Sequence, residues 1–294
     1  MSDRVPDGGW QMPQPMAVLE AIEEWRSLDL RTASFDAIVA SMEALRDKLA
    51  FWVVQRSSSR PRKLWRVRKR TGAEQFDRVD DLWEPPERYA RLNRCNQSGS
   101  PLLYCSKDLA TALDECDVVE QDQLLLVKYR PNTQLRVNRI VGNFDPNPVN
   151  GDPVIVGDGL LAYRIMREFL RAEFTKPVGE GTEALYKVSA AVCHVWAGSD
   201  DSDGWIYPSI RSPLAGNDNL ALDPRSARSK LDIESAYWCV AENVQASELR
   251  FGGSPSVLPG VRLRHLKLAE VGDLEVTWRP PAASEETGKF ARRK

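Results

Sequence analysis

Apolar residues recur along the chain with two different periods. Val18, Leu19, Ile22 and Trp25 fall at helical spacing within Met16 to Leu28, and Pro15 stands just ahead, where a first helical turn accepts proline. Ser34 can cap a second helix whose stripe is Phe35, Ile38, Val39, Met42, Leu45, Leu49 and Trp52. Residues 1–55 are therefore expected to form an N-terminal helical extension. From Arg56 a linker is expected to pass into a strand at Leu64 to Arg70, followed by strands at Leu102 to Cys105, Leu124 to Arg130 and Gln134 to Ile140. Between them Ser106 is the expected cap of a helix running through Asp117, with Asp108 in its first turn to complement the macrodipole. Gly142 to Gly159 holds three prolines and four glycines, so an irregular excursion is expected before helices near Leu160 to Phe174 and Glu183 to Cys193. Trp205 to Ile210, Asn219 to Leu222, Ala236 to Val244 and Leu263 to Trp278 then look mostly β, and the polar tail after Arg279 is expected to be disordered. This mixture predicts an α+β protein.

The chain has 294 residues, 42% of them hydrophobic and 28% charged. That is enough to bury about three quarters of its unfolded surface, which excludes disorder throughout and a fibrous fold. Its 40 basic and 42 acidic residues leave a charge of −2, so any nucleic acid or anionic lipid would have to be met by a local patch. Five cysteines, at 95, 105, 116, 193 and 239, form no CxxC pair, and their odd number fits buried thiols in a reducing cytosol. Two histidines, His194 and His265, leave a zinc site little to be built from, and no metal is expected. Residues 1–14 lack the basic start and apolar core of a signal peptide, and no apolar run approaches the roughly 20 residues of a membrane span. A cytoplasmic location without membrane contact is expected.

Several motifs have plain explanations. Val156-Gly-Asp-Gly-Leu-Leu-Ala162 has the glycine spacing of a dinucleotide-binding turn but lacks the preceding strand and the later acid, which makes it an ordinary loop-to-helix turn. Ser199-Asp-Asp-Ser-Asp-Gly204 alternates carboxylates as a calcium loop does, yet its twelfth position is Ile210, so a solvated acidic turn is expected. Cys193 and His194 are adjacent and point apart, as core or rim residues. Residues 56–70 hold eight basic residues and no acid around Trp65, and Arg60, Arg62, Lys63 and Arg68 could contact phosphates. Against the neutral remainder of the chain, a solvated strand edge is favoured over nucleic-acid binding.

A different chemistry is carried by Arg94-Cys-Asn-Gln-Ser-Gly-Ser-Pro-Leu-Leu-Tyr104 and Ala112-Leu-Asp-Glu115. A glycine-containing loop leaves an arginine on one side, a strand brings up a tyrosine, and a capped helix presents an acid on its last turn. Such a trio can grip a phosphorylated ribosyl group, because a guanidinium matches phosphate bidentately and a carboxylate stabilises a ribosyl cation. A solvated Glu115 and an Arg94 paired with a surface acid are the plainer alternative.

In these motifs the chain resembles the RES domain family, named for arginine, glutamate and serine, whose members include bacterial toxins paired with helix-turn-helix antitoxins. Four pieces occur in the family's order: Leu64-Trp-Arg66-Val; Arg94-x-Asn96-x-x-Gly99-x-Pro101-x-Leu103-Tyr104; Ala112-Leu-x-Glu115; and Gly204-Trp-Ile-Tyr207-Pro-Ser209-Ile-Arg211, with Asn219-Leu-Ala-Leu222 as the strand after it. Asn93 stands where the family commonly has glycine. The resemblance implies an ADP-ribosyltransferase-like mixed β core with flanking helices, and cleavage of the bond between nicotinamide and ribose in NAD. By that likeness Arg66 and Arg94 bind the pyrophosphate and ribose side, Glu115 stabilises the oxocarbenium-like cation, Tyr104 packs against the ribose or ring, and Ser209 bonds the nicotinamide end. NAD is then a substrate, no cofactor is needed, and an antitoxin of helix-turn-helix type is the implied partner. The implied organisation is a catalytic domain over 56–250 and C-terminal strands with a polar tail over 251–294. Mono-ADP-ribosyl transfer to a macromolecule is the alternative within the fold, and a non-enzymatic nucleic-acid binder using residues 56–70 is the alternative from another class.

Overall fold

The computed structural model describes residues 13–49, 55–72, 75–140, 157–179, 181–196, 202–211, 217–242, 260–285 and 287–291. They divide into two compact units. The first takes residues 1–56, 91–98 and 138–200. Its helices are α1 (Pro15–Arg26), α2 (Phe35–Leu49), α4 (Gly157–Thr175) and α5 (Tyr186–Trp196), the last preceded by a 3-10 turn at Glu183–Leu185. Pro15 sits in the first turn of α1, and Val18, Ala21, Ile22 and Trp25 are its buried face. Ser34 caps α2 as expected, its Oγ accepting from the Ala37 amide at 3.2 Å. Trp25 meets Phe169 of α4 edge-on at 5.3 Å, and Arg46 of α2 donates to the Val195 carbonyl of α5 at 3.1 Å. The helices expected as an extension over 1–55 thus form one half of a helical unit, because their apolar stripes are buried against α4 and α5. The irregular excursion expected over 142–159 lies outside the described residues up to 156, and its last three residues open α4.

The second unit takes residues 57–90, 99–137 and 201–294. Its strands are β1 (Gln55–Ser59), β2 (Leu64–Lys69), β3 (Leu103–Ser106), β4 (Gln123–Pro131), β5 (Leu135–Arg139), β6 (Gly204–Pro208), β7 (Asp218–Leu222), β8 (Leu231–Glu242), β9 (Gly260–Val271), β10 (Val276–Arg279) and β11 (Thr287–Ala291). Two short helices, α3 (Leu109–Glu115) and α6 (Pro224–Lys230), interrupt them. The sheet order is β1-β5-β6-β7-β3-β2-β4-β8-β9-β10, with β11 on β9. Strands β2 and β3 are joined by one register pair, Trp65 with Ser106, whereas β2 and β4 are paired over six residues. Strand alternation builds a core on each face. On β4, Leu125, Val127 and Tyr129 enter one cluster with Leu64, Leu103, Cys105 and Leu220, while Leu124 and Leu126 enter the other with Trp65, Val67, Leu109, Ala112 and Leu113.

The linker expected from Arg56 is a strand in its first residues. The disorder expected after Arg279 is overturned over 280–285 and 287–291. Arg279 hydrogen-bonds both Glu285 oxygens, at 2.9 and 3.1 Å, and β11 pairs antiparallel with β9. Polar composition misled there because an open strand edge recruits a tail through its backbone, whatever its side chains. Among the described residues no helix is long and apolar enough to cross a membrane.

Candidate active site

Register places one row of side chains across four strands. Trp65 on β2 is opposite Ser106 on β3, Ser106 is opposite Asn219 on β7, and Asn219 is opposite Tyr207 on β6. This row shares its face with α3, since Trp65 packs with Leu109, Ala112 and Leu113. The cap of α3 is Asp108, whose carboxylate accepts from the Thr111 amide at 2.8 Å and its hydroxyl at 2.6 Å. Ser106, the expected cap, is instead buried in the strand and donates to Asn219 Oδ1 at 2.6 Å.

With its start fixed by Asp108, α3 runs two turns and ends on Glu115. Ser209 Oγ donates to Glu115 Oε1 at 2.6 Å, and Asn219 Nδ2 donates to the same oxygen at 2.8 Å. A carboxylate at a helix C-terminus faces the negative end of the macrodipole, and these two donors offset that. Ser209, Asn219 and Ser106 are all buried, and Glu115 is half-buried. The neighbouring charges are paired off: Lys107 with Asp218 at 2.7 Å, and Arg211 with Asp117. The thiol of Cys116 donates to the Val67 carbonyl and is pushed up to about 11, by burial first and then by the Glu115 charge, with Arg66 pulling the other way.

Of the residues singled out in the sequence, Glu115 and Ser209 are therefore in direct contact. Tyr104 is half-buried and precedes Ser106 by two positions on β3, hence on the same face; its register partner is Ala221, itself opposite Trp205. Arg66 alternates with Trp65 and Val67 and so projects from the other face of β2, in register with Val127. Its guanidinium lies beside Tyr129 and Cys105, where burial pushes the Cys105 thiol up to about 12 and Arg66 opposes the shift. Arg66 Nη1 is buried with no hydrogen-bond partner among the described residues. Arg94 belongs to the helical unit, where it is buried, donates to the Phe174 and Lys176 carbonyls, and lies 5.2 Å over the Tyr186 ring.

Apart from polarity, nothing in the local sequence around Asn219 or Ser106 marks either as a site residue. The available signal was polarity: Asn219 interrupts the fully buried strand Asp218–Leu222, and a buried strand amide must find partners. Asp203, expected in a solvated acidic turn, is 3% exposed and accepts from Lys230 on both oxygens at 2.7 Å. The basic stretch is largely consumed by the protein itself. Arg60 donates to the Pro131 and Asn132 carbonyls, Lys63 lies over Trp65, Arg68 over Phe76 and Arg70 over Trp238, and Lys69 pairs with Asp122. Among the described residues no group of three or more His, Cys, Asp or Glu side chains could hold a metal ion.

Compared with known families, residues 63–242 match the model of the RES domain, which is more than half of the chain. No curated protein and no solved structure matches it, so a likeness to ADP-ribosyltransferases has no structural neighbour behind it.

Proposed function

Because the chain belongs to the RES domain family, we propose that it is an NAD-degrading enzyme that cleaves the bond between nicotinamide and ribose and acts as a growth-inhibiting toxin. The observation that carries this reading is the state of Glu115. One oxygen, Oε1, is held by two buried donors, and among the described residues none donates to Oε2. A carboxylate anchored on one side and open on the other suits a reaction in which positive charge develops at a sugar carbon.

In the proposed reaction the glycosidic bond breaks with its electron pair going to the pyridinium nitrogen, so nicotinamide leaves neutral and the ribosyl carbon becomes oxocarbenium-like. Glu115 stabilises that cation electrostatically. Water or phosphate then attacks the same carbon; when water is the acceptor, Oε2 takes its proton and the product is ADP-ribose. Tyr104 supplies an apolar ring on the same face for the ribose or nicotinamide, and Ser209 keeps Glu115 turned toward the reacting centre. An ADP-ribosyltransferase-like cleft and a helix-turn-helix antitoxin that covers it belong to the same proposal.

The test is to incubate purified protein with NAD, with and without phosphate, and follow free nicotinamide for the wild type and Glu115→Gln. Release that is lost in the variant supports the reading, and dependence on phosphate identifies the acceptor. Folded wild-type protein that releases no nicotinamide, or that puts the ADP-ribosyl label on protein or nucleic acid, would refute it.

A further inference from the structure

Glu115 receives two hydrogen bonds, and the residue behind one of them is itself held. Asn219 Nδ2 reaches Glu115 Oε1 at 2.8 Å, while Asn219 Oδ1 receives the Ser106 hydroxyl at 2.6 Å. The direction of this chain is fixed by chemistry. A carbonyl oxygen carries no hydrogen, so Ser106 must be the donor to Oδ1. Turning the amide over would set Oδ1 against the carboxylate oxygen at hydrogen-bond distance, an acceptor facing an acceptor, and would leave the Ser106 proton pointing at an NH₂ group. The chain therefore runs one way, from the Ser106 hydroxyl to Asn219 Oδ1 and from Asn219 Nδ2 to Glu115 Oε1.

Burial makes the arrangement rigid. Ser106 and Asn219 are 3% and 4% exposed, so water does not compete for their bonds. Asn219 also sits between two paired neighbours in the sheet, Ser106 on β3 and Tyr207 on β6, which fix its backbone from both sides. The Ser209 hydroxyl, the other donor to Oε1, can rotate about its C–O bond, and Ser209 lies just beyond the end of β6. A planar amide in the middle of a sheet defines the carboxylate orientation more tightly than a hydroxyl past a strand end.

We propose that Asn219, itself oriented by Ser106, is a positioning residue that fixes the Glu115 carboxylate so that Oε2 faces the reacting sugar carbon. This rests on the NAD-cleaving function proposed above and assigns that site two residues outside its arginine, glutamate and serine. Asn219 works through Glu115 rather than by touching the substrate, and Ser106 works only through Asn219. Misorientation of the carboxylate reduces stabilisation of the developing cation while leaving ground-state binding of NAD largely intact.

The test measures kcat and KM for nicotinamide release, with the urea unfolding midpoint recorded for each variant. Asn219→Ala is expected to lower kcat about 30-fold with KM within about twofold, and Ser106→Ala to lower kcat about fivefold. Because Ser106 acts through Asn219, the double variant should be no slower than Asn219→Ala alone, where independent sites would multiply. Ser106→Thr keeps the hydroxyl and should recover most of the loss. Losses that multiply, losses shared equally by KM and kcat, or a Ser106→Thr as impaired as Ser106→Ala would overturn the assignment. Should Asn219→Ala not fold, the comparison of Ser106→Ala with Ser106→Thr still decides it. Wild-type protein without turnover sinks the NAD-cleaving function and the relay with it; active wild type with unaltered variants sinks the relay alone.

Discussion

Replacing Asp203 by alanine is expected to destabilise the protein by about 3 kcal/mol, a sum made of two parts. Asp203 is 3% exposed and its carboxylate accepts three bonds: Lys230 Nζ on each oxygen at 2.7 Å, and the Arg136 backbone amide on Oδ2 at 2.7 Å. Truncation removes the part-buried bond from the Arg136 amide, at roughly 0.5–1.5 kcal/mol. It also removes the charge-assisted contact to Lys230, roughly another 1.5–3 kcal/mol before discounting. The Lys230 side chain is 21% exposed, so its ammonium can turn to water and the upper end of that range is not reached. Backbone bonds from Asp203 to Arg136 and from Asp223 to Asp203 survive the change, which bounds the loss from above. Urea unfolding followed by tryptophan fluorescence is the assay. With a slope of roughly 3 kcal/mol/M, the midpoint should fall by about 1 M at unchanged slope. Lys230→Ala should also be costly because it leaves a carboxylate buried without its cation, and the double variant should fall well short of the two losses added together. A midpoint shift under about 0.3 M for Asp203→Ala, or additive losses, would refute the claim that this ion pair anchors the start of β6.

Three further outcomes can be checked on the same material. Gly204 has φ +141°, and a Cβ there would run into the Ala221 carbonyl oxygen and stand 2.8 Å from Leu222 Cα, so Gly204→Ala should cost roughly 2–4 kcal/mol in the same urea assay. Burial pushes the Cys105 and Cys116 thiols up to about 12 and about 11, so iodoacetamide at pH 7.5 should leave both unmodified in native protein while labelling them fully in urea, as mass spectrometry would show. The Arg279 guanidinium, and after it the Ala282 amide, hold the Glu285 carboxyl down at about 2 from an ordinary 4.5. A lowered carboxyl stabilises above its unfolded value and loses that contribution on acidification, so hydrogen-exchange protection around Ala282–Glu285 should fall between pH 4.5 and 2, and Arg279→Ala should abolish the dependence.

Periodicity located most elements because apolar spacing is a local property. α1 and α2, β2 to β5 and β7 lie close to where their patterns put them, and Ser34 caps α2 through its own side chain. Misses arose where a partner distant in sequence decided the outcome. Ser106 has the chemistry of a cap, but β7 brings Asn219 opposite it, 113 residues away, and Asp108 caps instead. Asp203 belongs to an acidic run that looks solvated until Lys230 is folded over it. The contact between Glu115 and Ser209 spans 94 residues, and only the resemblance to a family, not any spacing, brought those two together in the sequence. Arg66 shows what spacing leaves out: being one residue from Trp65 and one from Val67 put its side chain on the face away from Glu115.

The single register pair between β2 and β3 divides the sheet's hydrogen-bond ladder into two lengths. α3 packs on the length that contains β2, β4, β8 and β9, whereas Ser106, Asn219 and Ser209 belong to the length that contains β3, β7 and β6. The two bonds that converge on Glu115 Oε1 therefore act as a clasp across a seam in the sheet. Any ligand that draws Oε1 to itself opens that clasp, so occupancy of the glutamate would be felt as a change in how tightly the two lengths of sheet are fastened.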